Sequence, residues 1–410
     1  MSTWSGRLKE LLTGTQEPRK SLSSSSTVNL KEVKTIEIDG EDSIRSVALL
    51  VGGSHVVTGG VEGQIRRWRV KDGKEAGTPV NARATVSNIA VSPDGKWVVG
   101  GTNCGLTTVW NAKSGEEAKV FTAHNEWVRA VDVSPDATRI ATGSYDRDVY
   151  IWSLPTQDEQ QLDRLLGPLR HSWSLAAVKF SPDGHLIATA TWCRSSVRIY
   201  DSQNGHLLVE FPVQVTSSEN QSLAWASDSK QLFALSRDGN INCLDVHNGT
   251  TLSQWPIHSP TDTRCIALAC NGRLVAASAG SSVSFWDTTT QKQIGSVIEH
   301  PALVASMAIS ANHDIAIGGG KNVTLRNICD MLPSSYYEDV SCIKPLLRWI
   351  SSNGKLLCYL RQLSPKRPSA PQRLKMLISG GSSNHFIYTT TTQVCFDWYT
   401  DSHFIETHIH

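Results

Sequence analysis

The 410-residue sequence predicts an all-β fold made of seven similar units, and two observations predict it. First, the stretch 121–152, FTAHNEWVRAVDVSPDATRIATGSYDRDVYIW, has the order strand, turn, strand, turn, strand. Second, the residue that closes its third strand, Trp152, belongs to a series with successive gaps of 42, 42, 48, 44, 42 and 40 residues. The series is Trp68, Trp110, Trp152, Tyr200, Leu244, Trp286 and Arg326. Self-similarity at a nearly fixed period indicates a repeat architecture.

Turn sequences recur in step with these closing residues. Proline fixes φ, and Asp or Gly tolerates a tight reversal, so each turn predicts a hairpin between alternating apolar strands. The long gap before Tyr200 contains the segment 155–168, PTQDEQQLDRLLGP, which we interpret as a polar loop inserted between two units. The predicted hairpin turns are Ser92–Gly95, Ser134–Ala137, Ser181–Gly184, Ala226–Ser229 and Cys270–Gly272.

The residues before the first unit, 1–31, are predicted to form a flexible tail. Trp4, Leu8, Leu11 and Leu12 could share one face of a short helix, but such a helix is marginal in water. Ser21 to Ser26 is polar low-complexity sequence, and chain ends are commonly disordered. A docking peptide in this tail is the alternative.

The ends of the third strands resemble the repeat of the WD40 family. Ile151-Trp152, Val109-Trp110, Phe285-Trp286-Asp287 and Ile199-Tyr200-Asp201 stand where that family has its terminal Trp-Asp. The resemblance covers residues 32–330 and implies a seven-bladed WD40 β-propeller, with about four strands in each blade. It also implies a buried, hydrogen-bonded structural tetrad of His, Ser, Asp and Trp. The best match is His124, Ser144, Asp146 and Trp152.

The other units keep only part of this tetrad. His171 and His300 retain its first position and Asp238 its third. Cys104, Cys193 and Gly280 replace the acid. Because a buried Asp and an indole N–H both need partners, the set can fix a turn only when it is complete. The third unit is therefore the strict match.

Ring closure is predicted from the segment Glu32 to Ile38, which alternates apolar and polar residues ahead of the first unit. Open first and last sheets would leave raw edges that invite aggregation. We therefore predict that this N-terminal strand closes the last blade, as WD40 propellers commonly do.

Charge, cysteine usage and hydropathy narrow the possible partners and locations. There are 39 Lys and Arg against 38 Asp and Glu, so the chain has no global attraction for nucleic acid or for an anionic membrane. Nine cysteines without Cys-x-x-Cys spacing predict free, mostly buried thiols in a reducing compartment. The sequence lacks a long apolar run and a secretory signal, so the cytoplasm is expected, with the nucleus as the alternative.

No motif predicts catalysis. Phosphate-binding loop signatures are missing, and His124, His171 and His300 recur at one repeat position, as structural residues do. His403, His408 and His410 could hold a metal ion only weakly. The sequence therefore predicts no enzyme, cofactor, metal site or small-molecule substrate. A propeller enzyme would require acids, His or metal ligands that converge at the channel mouth.

The resemblance points to the loops around one mouth of the central channel as the binding surface. Aromatic residues and arginines concentrate there between the third and fourth units, and these types dominate interface hot spots. Packing between adjacent blades is the alternative for each of them. Arg45, Arg129 and Arg264 share one repeat position nearby. The predicted partner-binding residues are Trp127, Arg129, Tyr145, Trp173, Trp192 and Arg194.

The leading interpretation is a non-catalytic scaffold or adaptor that presents this rim to a protein or peptide, as a monomer within a larger complex. A sensor or substrate-receptor propeller, working with a separate ATPase or ubiquitin-ligase partner, is the alternative. Arg and aromatic residues can also stack on bases, but Glu126, Asp132 and Asp146 lie close in sequence and disfavour nucleic acid.

Residues 331–410 show no repeat register and are predicted to be an irregular C-terminal extension. The run Ser364-Pro365-Lys366-Arg367-Pro368 predicts a solvated spacer, with a nuclear address or an anion contact as alternatives. Phe386 to Trp398 has high β-propensity and low charge, so it predicts an added strand or an aggregation-prone segment.

Overall fold

The structure is a computed structural model that describes most of the repeat region. The described residues are 34–38, 43–154, 162–192, 196–215, 221–257, 263–269, 272–310, 312–333 and 336, together with strands between 348 and 409. The chain divides into two compact units, Met1–Asp339 and Val340–His410. Among the described residues, no helix is long and apolar enough to cross a membrane.

Seven four-stranded antiparallel sheets, called blades 1 to 7, make up the first unit, which confirms the predicted all-β seven-bladed propeller. Blade 1 contains β2 (Ile44–Leu49), β3 (His55–Gly60), β4 (Gln64–Arg69) and β5 (Val80–Asn81). Blade 2 contains β6 (Val86–Val91), β7 (Trp97–Thr102), β8 (Leu106–Asn111) and β9 (Glu117–Thr122). Blade 3 contains β10 (Val128–Val133), β11 (Arg139–Ser144), β12 (Asp148–Ser153) and β13 (Arg164–Arg170).

The remaining blades repeat this order. Blade 4 contains β14 (Leu175–Phe180), β15 (Leu186–Thr191), β16 (Val197–Asp201) and β17 (Leu207–Phe211). Blade 5 contains β18 (Leu223–Trp225), β19 (Gln231–Leu235), β20 (Asn240–Asp245) and β21 (Thr250–Pro256). Blade 6 contains β22 (Thr263–Ala269), β23 (Leu274–Ala279), β24 (Ser282–Asp287) and β25 (Gln293–Glu299). Blade 7 contains β26 (Ser306–Ile309), β27 (Asp314–Gly319) and β28 (Asn322–Asn327).

The fourth strand of blade 7 comes from the front of the chain. Strand β1 (Lys34–Glu37) pairs antiparallel with β28, and Ile36 opposes Val323. Ile36 and Ile38 are buried in the core between blades 7 and 1. The predicted closure of the ring by this segment is therefore confirmed.

The first strand of each blade contacts the first strand of the next, all the way round, so these strands line the centre of the ring. Side chains on them accept backbone N–H groups of the next blade. The Ser306 hydroxyl accepts from Val47 at 3.0 Å, the Ser46 hydroxyl from Ile89 at 3.0 Å, and the Asn88 amide oxygen from Val131 at 2.9 Å. Blade 7 is thus joined to blade 1 in the way that blade 1 is joined to blade 2.

A glycine near the end of the second strand lets neighbouring blades approach closely. A Cβ at Gly143 would lie 2.6 Å from the Val178 Cγ2 atom of blade 4, and one at Gly101 would lie 2.7 Å from Val128 Cγ1 of blade 3. Such distances are well inside van der Waals contact, so a larger residue would push the blades apart. The glycine of the sequence A-T-G-S at residues 141–144 follows from this packing.

One prediction for the segment between blades 3 and 4 is wrong in part. The inserted loop was expected to span 155–168, but β13 already begins at Arg164 and pairs with β12. Leu166 and Leu169 pack in the core shared with blade 4, so the apolar end of the insertion supplies the outer strand. In the second unit, β29 (Arg348–Ser352) pairs with β30 (Lys355–Tyr359), and β31 (His385–Thr389), β32 (Thr392–Phe396) and β33 (Thr407–Ile409) form another sheet.

Candidate functional site

One edge of blade 3 places Trp127 and Tyr145 side by side. Val128, which begins β10, is paired in register with Ser144, which ends β11. The residues just outside this pair therefore leave the sheet at the same edge. The Tyr145 backbone N–H donates to the Trp127 carbonyl oxygen at 3.0 Å. Strand register thus fixes the position of both residues.

Three aromatic rings form a continuous cluster across blades 3 and 4. The ring centroids of Trp127 and Tyr145 are 5.1 Å apart in an edge-to-face arrangement. Those of Tyr145 and Trp192 are 5.9 Å apart, with an interplanar angle of 2°. Both geometries suit the quadrupoles of aromatic rings. The backbone N–H of Trp192 donates to the Ser174 carbonyl at 2.7 Å, and the Ser174 hydroxyl donates to the Tyr145 carbonyl at 3.1 Å.

Exposure differs among the predicted rim residues. Trp173 is 43% exposed and Trp192 is 38% exposed, whereas Trp127 and Tyr145 are half-buried. Packing between blades therefore buries part of the surface of Trp127 and Tyr145. Trp173 and Trp192 keep a large apolar surface in solvent. Arg194 lies outside the described residues.

Three consecutive blades direct an equivalent residue onto Trp127. The first strands of blades 1, 2 and 3 each contain a register shift that leaves one extra residue, namely Arg45, Ser87 and Arg129. A bulge of this kind re-aims the side chain of its extra residue. The guanidinium carbons of Arg129 and Arg45 lie 5.2 Å and 5.9 Å from the Trp127 ring centroid, and the indole N–H donates to the Ser87 hydroxyl.

Ser87 was not predicted from the sequence. The available signal was positional, because it stands midway between Arg45 and Arg129 at the 42-residue repeat. A serine at that position gives no hint of its role until the structure shows the indole N–H that it accepts.

Behind the rim, blade 3 contains a chain of buried hydrogen bonds. The Trp152 indole N–H donates to the Thr142 hydroxyl at 2.9 Å, and that hydroxyl donates to His124 Nε2 at 2.8 Å. The other ring nitrogen, Nδ1, donates to Asp146 Oδ2 at 2.9 Å. We assign the proton to Nδ1 because a carboxylate can only accept. This chain anchors the turn that carries Tyr145.

The hydroxyl of this chain belongs to Thr142, in place of the predicted Ser144. Trp152 pairs with Ile140, so Thr142, two residues further along β11, shares its face of the sheet. Ser144 stands at the end of the strand, where its hydroxyl donates to the Glu126 carbonyl at 3.2 Å and accepts from the Asp146 N–H at 3.1 Å. It stabilises the two loops without touching the tryptophan.

In other blades, a threonine at the equivalent position forms a hydrogen bond with a buried ring. Thr58 accepts from the Trp68 indole at 2.9 Å, and Thr189 contacts His171 Nε2 at 2.9 Å. In blade 2, Gly100 takes this position, and the buried Trp110 indole nitrogen has no hydrogen-bond partner among the residues that the structure describes. A hydroxyl residue two positions after the cross-strand partner of the closing tryptophan is the sequence signal that would have identified Thr142.

Asp146 is held ionised by its surroundings. Burial alone would raise the pKa of its carboxyl group. The hydrogen bond and positive potential of His124, with the backbone N–H groups of Asp148 and Asn125, outweigh burial and bring the pKa below its usual value. An ionised Asp146 keeps the His124 Nδ1 proton in place, so the chain of hydrogen bonds keeps one direction.

The family described as "WD domain, G-beta repeat" matches residues 115–153, which contain β9 to β12, and residues 164–201, which contain β13 to β16. The chain is a WD40-repeat protein. WD40 propellers are in general non-enzymatic scaffolds for protein interactions.

Parts of this WD40 propeller are similar to several characterised proteins. Autophagy-related protein 18 of Caenorhabditis elegans is 38% identical over 87 residues, 21% of this chain and 21% of the relative. Actin-interacting protein 1 of Drosophila melanogaster is 27% identical over 116 residues, 28% and 19% of the two chains. Protein groucho of Drosophila melanogaster is 23% identical over 215 residues, 50% and 29%. The chain thus spans less than a third of the length of these relatives.

Two buried histidines of the propeller, His171 and His300, have no acidic hydrogen-bond partner among the described residues. His171 Nδ1 donates to the Leu169 carbonyl at 2.9 Å, and Nε2 contacts the hydroxyls of Thr189 and Tyr200 at 2.9 and 3.3 Å. Burial lowers the pKa of His171 to about 4 and also lowers the pKa of His300. Both rings are therefore neutral at physiological pH and serve the core.

These histidines predict a dependence of stability on pH. The pKa of His171 falls from 6.5 in the unfolded chain to about 4 in the propeller, so the unfolded chain binds the proton first as pH falls. Its contribution is fully present above pH 6.5 and is lost towards pH 4, at a cost of about 3 kcal/mol. We expect the thermal midpoint of the parent protein to fall as the pH is lowered across this window, and the midpoint of His171→Gln to fall less. Parallel slopes for both proteins in melts followed by circular dichroism would contradict the prediction.

Within the described part of the chain, no group of three or more His, Cys, Asp or Glu side chains is arranged to hold a metal ion. The side chains of His403, His408 and His410 lie outside the described residues.

Proposed function

We propose that this WD40 propeller is a non-catalytic scaffold that holds a segment of another protein at the rim between blades 3 and 4. The observation that carries the proposal is the cluster formed by Trp127, Tyr145 and Trp192, with Trp173 on the adjacent loop. Large, rigid rings gain much from burial and lose little conformational entropy when a partner covers them. Exposed neighbouring tryptophans on a stable framework match the composition of interface hot spots.

The framework supports the same proposal. The loops that carry these rings are tied to strand ends by backbone hydrogen bonds and to the buried chain from Trp152 to Asp146. A preformed rim of this kind avoids the entropic cost of ordering loops on binding. The relatives named above share repeats with this chain, and their partners are not transferred to it.

Capture of partners by the full chain tests the proposal. We expect Trp173→Ala combined with Trp192→Ala to reduce recovery of specific partners at least about tenfold in quantitative mass spectrometry after proximity labelling. The matched control is Leu207→Ala with Leu208→Ala, which removes exposed apolar side chains from the outer strand of the same blade. Both proteins should melt close to the parent, since all four side chains are exposed.

Two results would count against the proposed rim. Equal recovery of partners by the rim variant and the parent would place binding elsewhere. Steep loss of binding with added salt, together with recovered nucleic acid, would favour a nucleic-acid ligand, because phosphate contacts release counterions.

A further inference from the structure

The guanidinium group of Arg129 has no anionic partner among the described residues. Arg129 is only 7% exposed, and it is the extra residue of the bulge in β10. Its contacts are the faces of two rings, with the guanidinium carbon 5.2 Å from the Trp127 centroid and 5.9 Å from that of Tyr145. Within the described part of the chain, it donates no hydrogen bond and forms no ion pair.

The carboxylates that are near in sequence are engaged elsewhere or face solvent. Asp146 accepts from His124, and Asp132 pairs with Lys179 at 2.9 Å. Asp132 also accepts the backbone N–H of Phe180 at 2.8 Å. Glu126 is exposed and forms no ion pair among the described residues. None of these three carboxylates therefore neutralises Arg129.

A buried cation without a counter-charge is costly, and ring faces compensate only in part. Cation–π contacts contribute less than a charge-assisted hydrogen bond to an anion. An aromatic ring offers the guanidinium N–H groups no oxygen acceptor. An anion that reaches these donors would gain the hydrogen bonds that the described part of the protein leaves unmade.

We propose that the rim recognises an acidic segment of its partner, with a carboxylate of Asp or Glu on Arg129 and a neighbouring flat side chain on Trp192. This inference rests on the function proposed above and specifies the chemistry of the partner. The planar fork of Arg pairs with a carboxylate through two parallel hydrogen bonds. Arg129 and Trp192 both contact the ring of Tyr145, with the guanidinium carbon and the Trp192 ring centroid each 5.9 Å from the Tyr145 centroid, so both subsites are within reach of adjacent residues of one extended segment.

A carboxylate fits this site better than a phosphate group. Arg129 offers a single uncommitted positive charge, which matches the single charge of a carboxylate. A phosphate monoester carries close to two negative charges and three acceptor oxygens, so it would need further donors. Arg45, the other guanidinium at Trp127, already has interactions within the protein.

A random peptide library displayed on phage and selected on the full chain provides the test. We expect the enriched peptides to carry Asp or Glu beside an aromatic residue. For one such peptide, Arg129→Gln should weaken binding about tenfold or more in fluorescence polarisation, and replacing the peptide acid by its amide should have a similar effect. The two changes together should cost no more than either alone, since they remove one interaction.

The control variants keep the outcome interpretable. Arg69→Gln removes the same charge from the opposite edge of blade 1, where Arg69 pairs with Asp72, and should leave peptide binding unchanged. Arg129→Lys retains the charge without the fork and should bind with intermediate affinity. Thermal melts of each variant separate lost binding from lost folding.

Each contrary outcome has a definite meaning. Enriched peptides that need Trp192 but show no preference for acids would overturn this inference and leave the proposed function standing. Failure to enrich any peptide that depends on Trp173 and Trp192 would contradict both. Tighter binding of a phosphoserine version of the peptide than of the Glu version would overturn the choice of a carboxylate.

Discussion

Deletion of residues 32–38 is expected to lower the melting temperature by about 10 °C or more. The deletion removes Ile36 and Ile38, which are 4% and 2% exposed, from the core between blades 7 and 1. Loss of one large buried aliphatic side chain typically costs about 2–5 kcal/mol. A loss of a few kcal/mol lowers the melting temperature of a protein of this size by about 10 °C. The deletion also exposes the edge of β28, which then invites pairing with another chain.

Point substitutions on the same strand separate burial from chain shortening. Ile36→Asp places a charge in the core and should reproduce most of the effect of the deletion. Thr35→Asp changes the adjacent, exposed residue and should leave the melt nearly unchanged. Differential scanning calorimetry measures both. Equal, small effects of the two substitutions would mean that the strand is dispensable and that the ring does not depend on it.

Replacing Thr142 by Val is expected to lower the free energy of unfolding by about 3 kcal/mol. Valine has nearly the same shape but cannot accept from the Trp152 indole or donate to His124 Nε2. Two buried polar groups would then be left without partners, at about 1–3 kcal/mol each. The turn that carries Tyr145 depends on His124 and Asp146, so peptide binding at the rim should weaken as well.

Thr107→Val is the matched control for this substitution. Thr107 is fully buried in blade 2, and its hydroxyl oxygen has no hydrogen-bond partner within the described ranges of the chain. The same chemical change there removes an unsatisfied polar atom and should be neutral or stabilising. Ser144→Ala should cost about 1 kcal/mol, since Ser144 bonds only backbone groups. If denaturant unfolding showed a larger loss of stability for Ser144→Ala than for Thr142→Val, it would contradict the assignment of the buried hydrogen-bond chain to Thr142.

Periodicity carried most of the fold prediction, because each blade is a local unit whose strands alternate visibly in sequence. The turns at Ser92–Gly95 and Ser134–Ala137 mark hairpins by their own chemistry. The closing strand could be recognised at Ile36 and Ile38, since an unpaired edge has to be covered. The end of the insertion at Arg164 could not, because its leucines enter β13 only when blade 4 provides a surface for them.

The site was predictable in its residue types and less so in its contacts. Trp127, Tyr145, Trp173 and Trp192 could be placed on one rim by the repeat register. Their exposure depended on neighbours from other blades, such as Ser87, which accepts the Trp127 indole N–H. The sequence predicted Ser144 and missed Thr142, because spacing alone cannot tell which of two hydroxyls on one strand face lies beneath the indole.

The sequence by itself determined the repeat, the number of blades and the strand that closes the ring, because these follow from hydrophobic alternation and turn chemistry within short segments. Only the tertiary structure decided that Arg129 contacts two rings and has no anionic partner in the described part of the propeller, and that Thr142 joins Trp152 to His124. Those facts depend on the angles at which separate strands and blades meet, and such angles are set by packing across the ring.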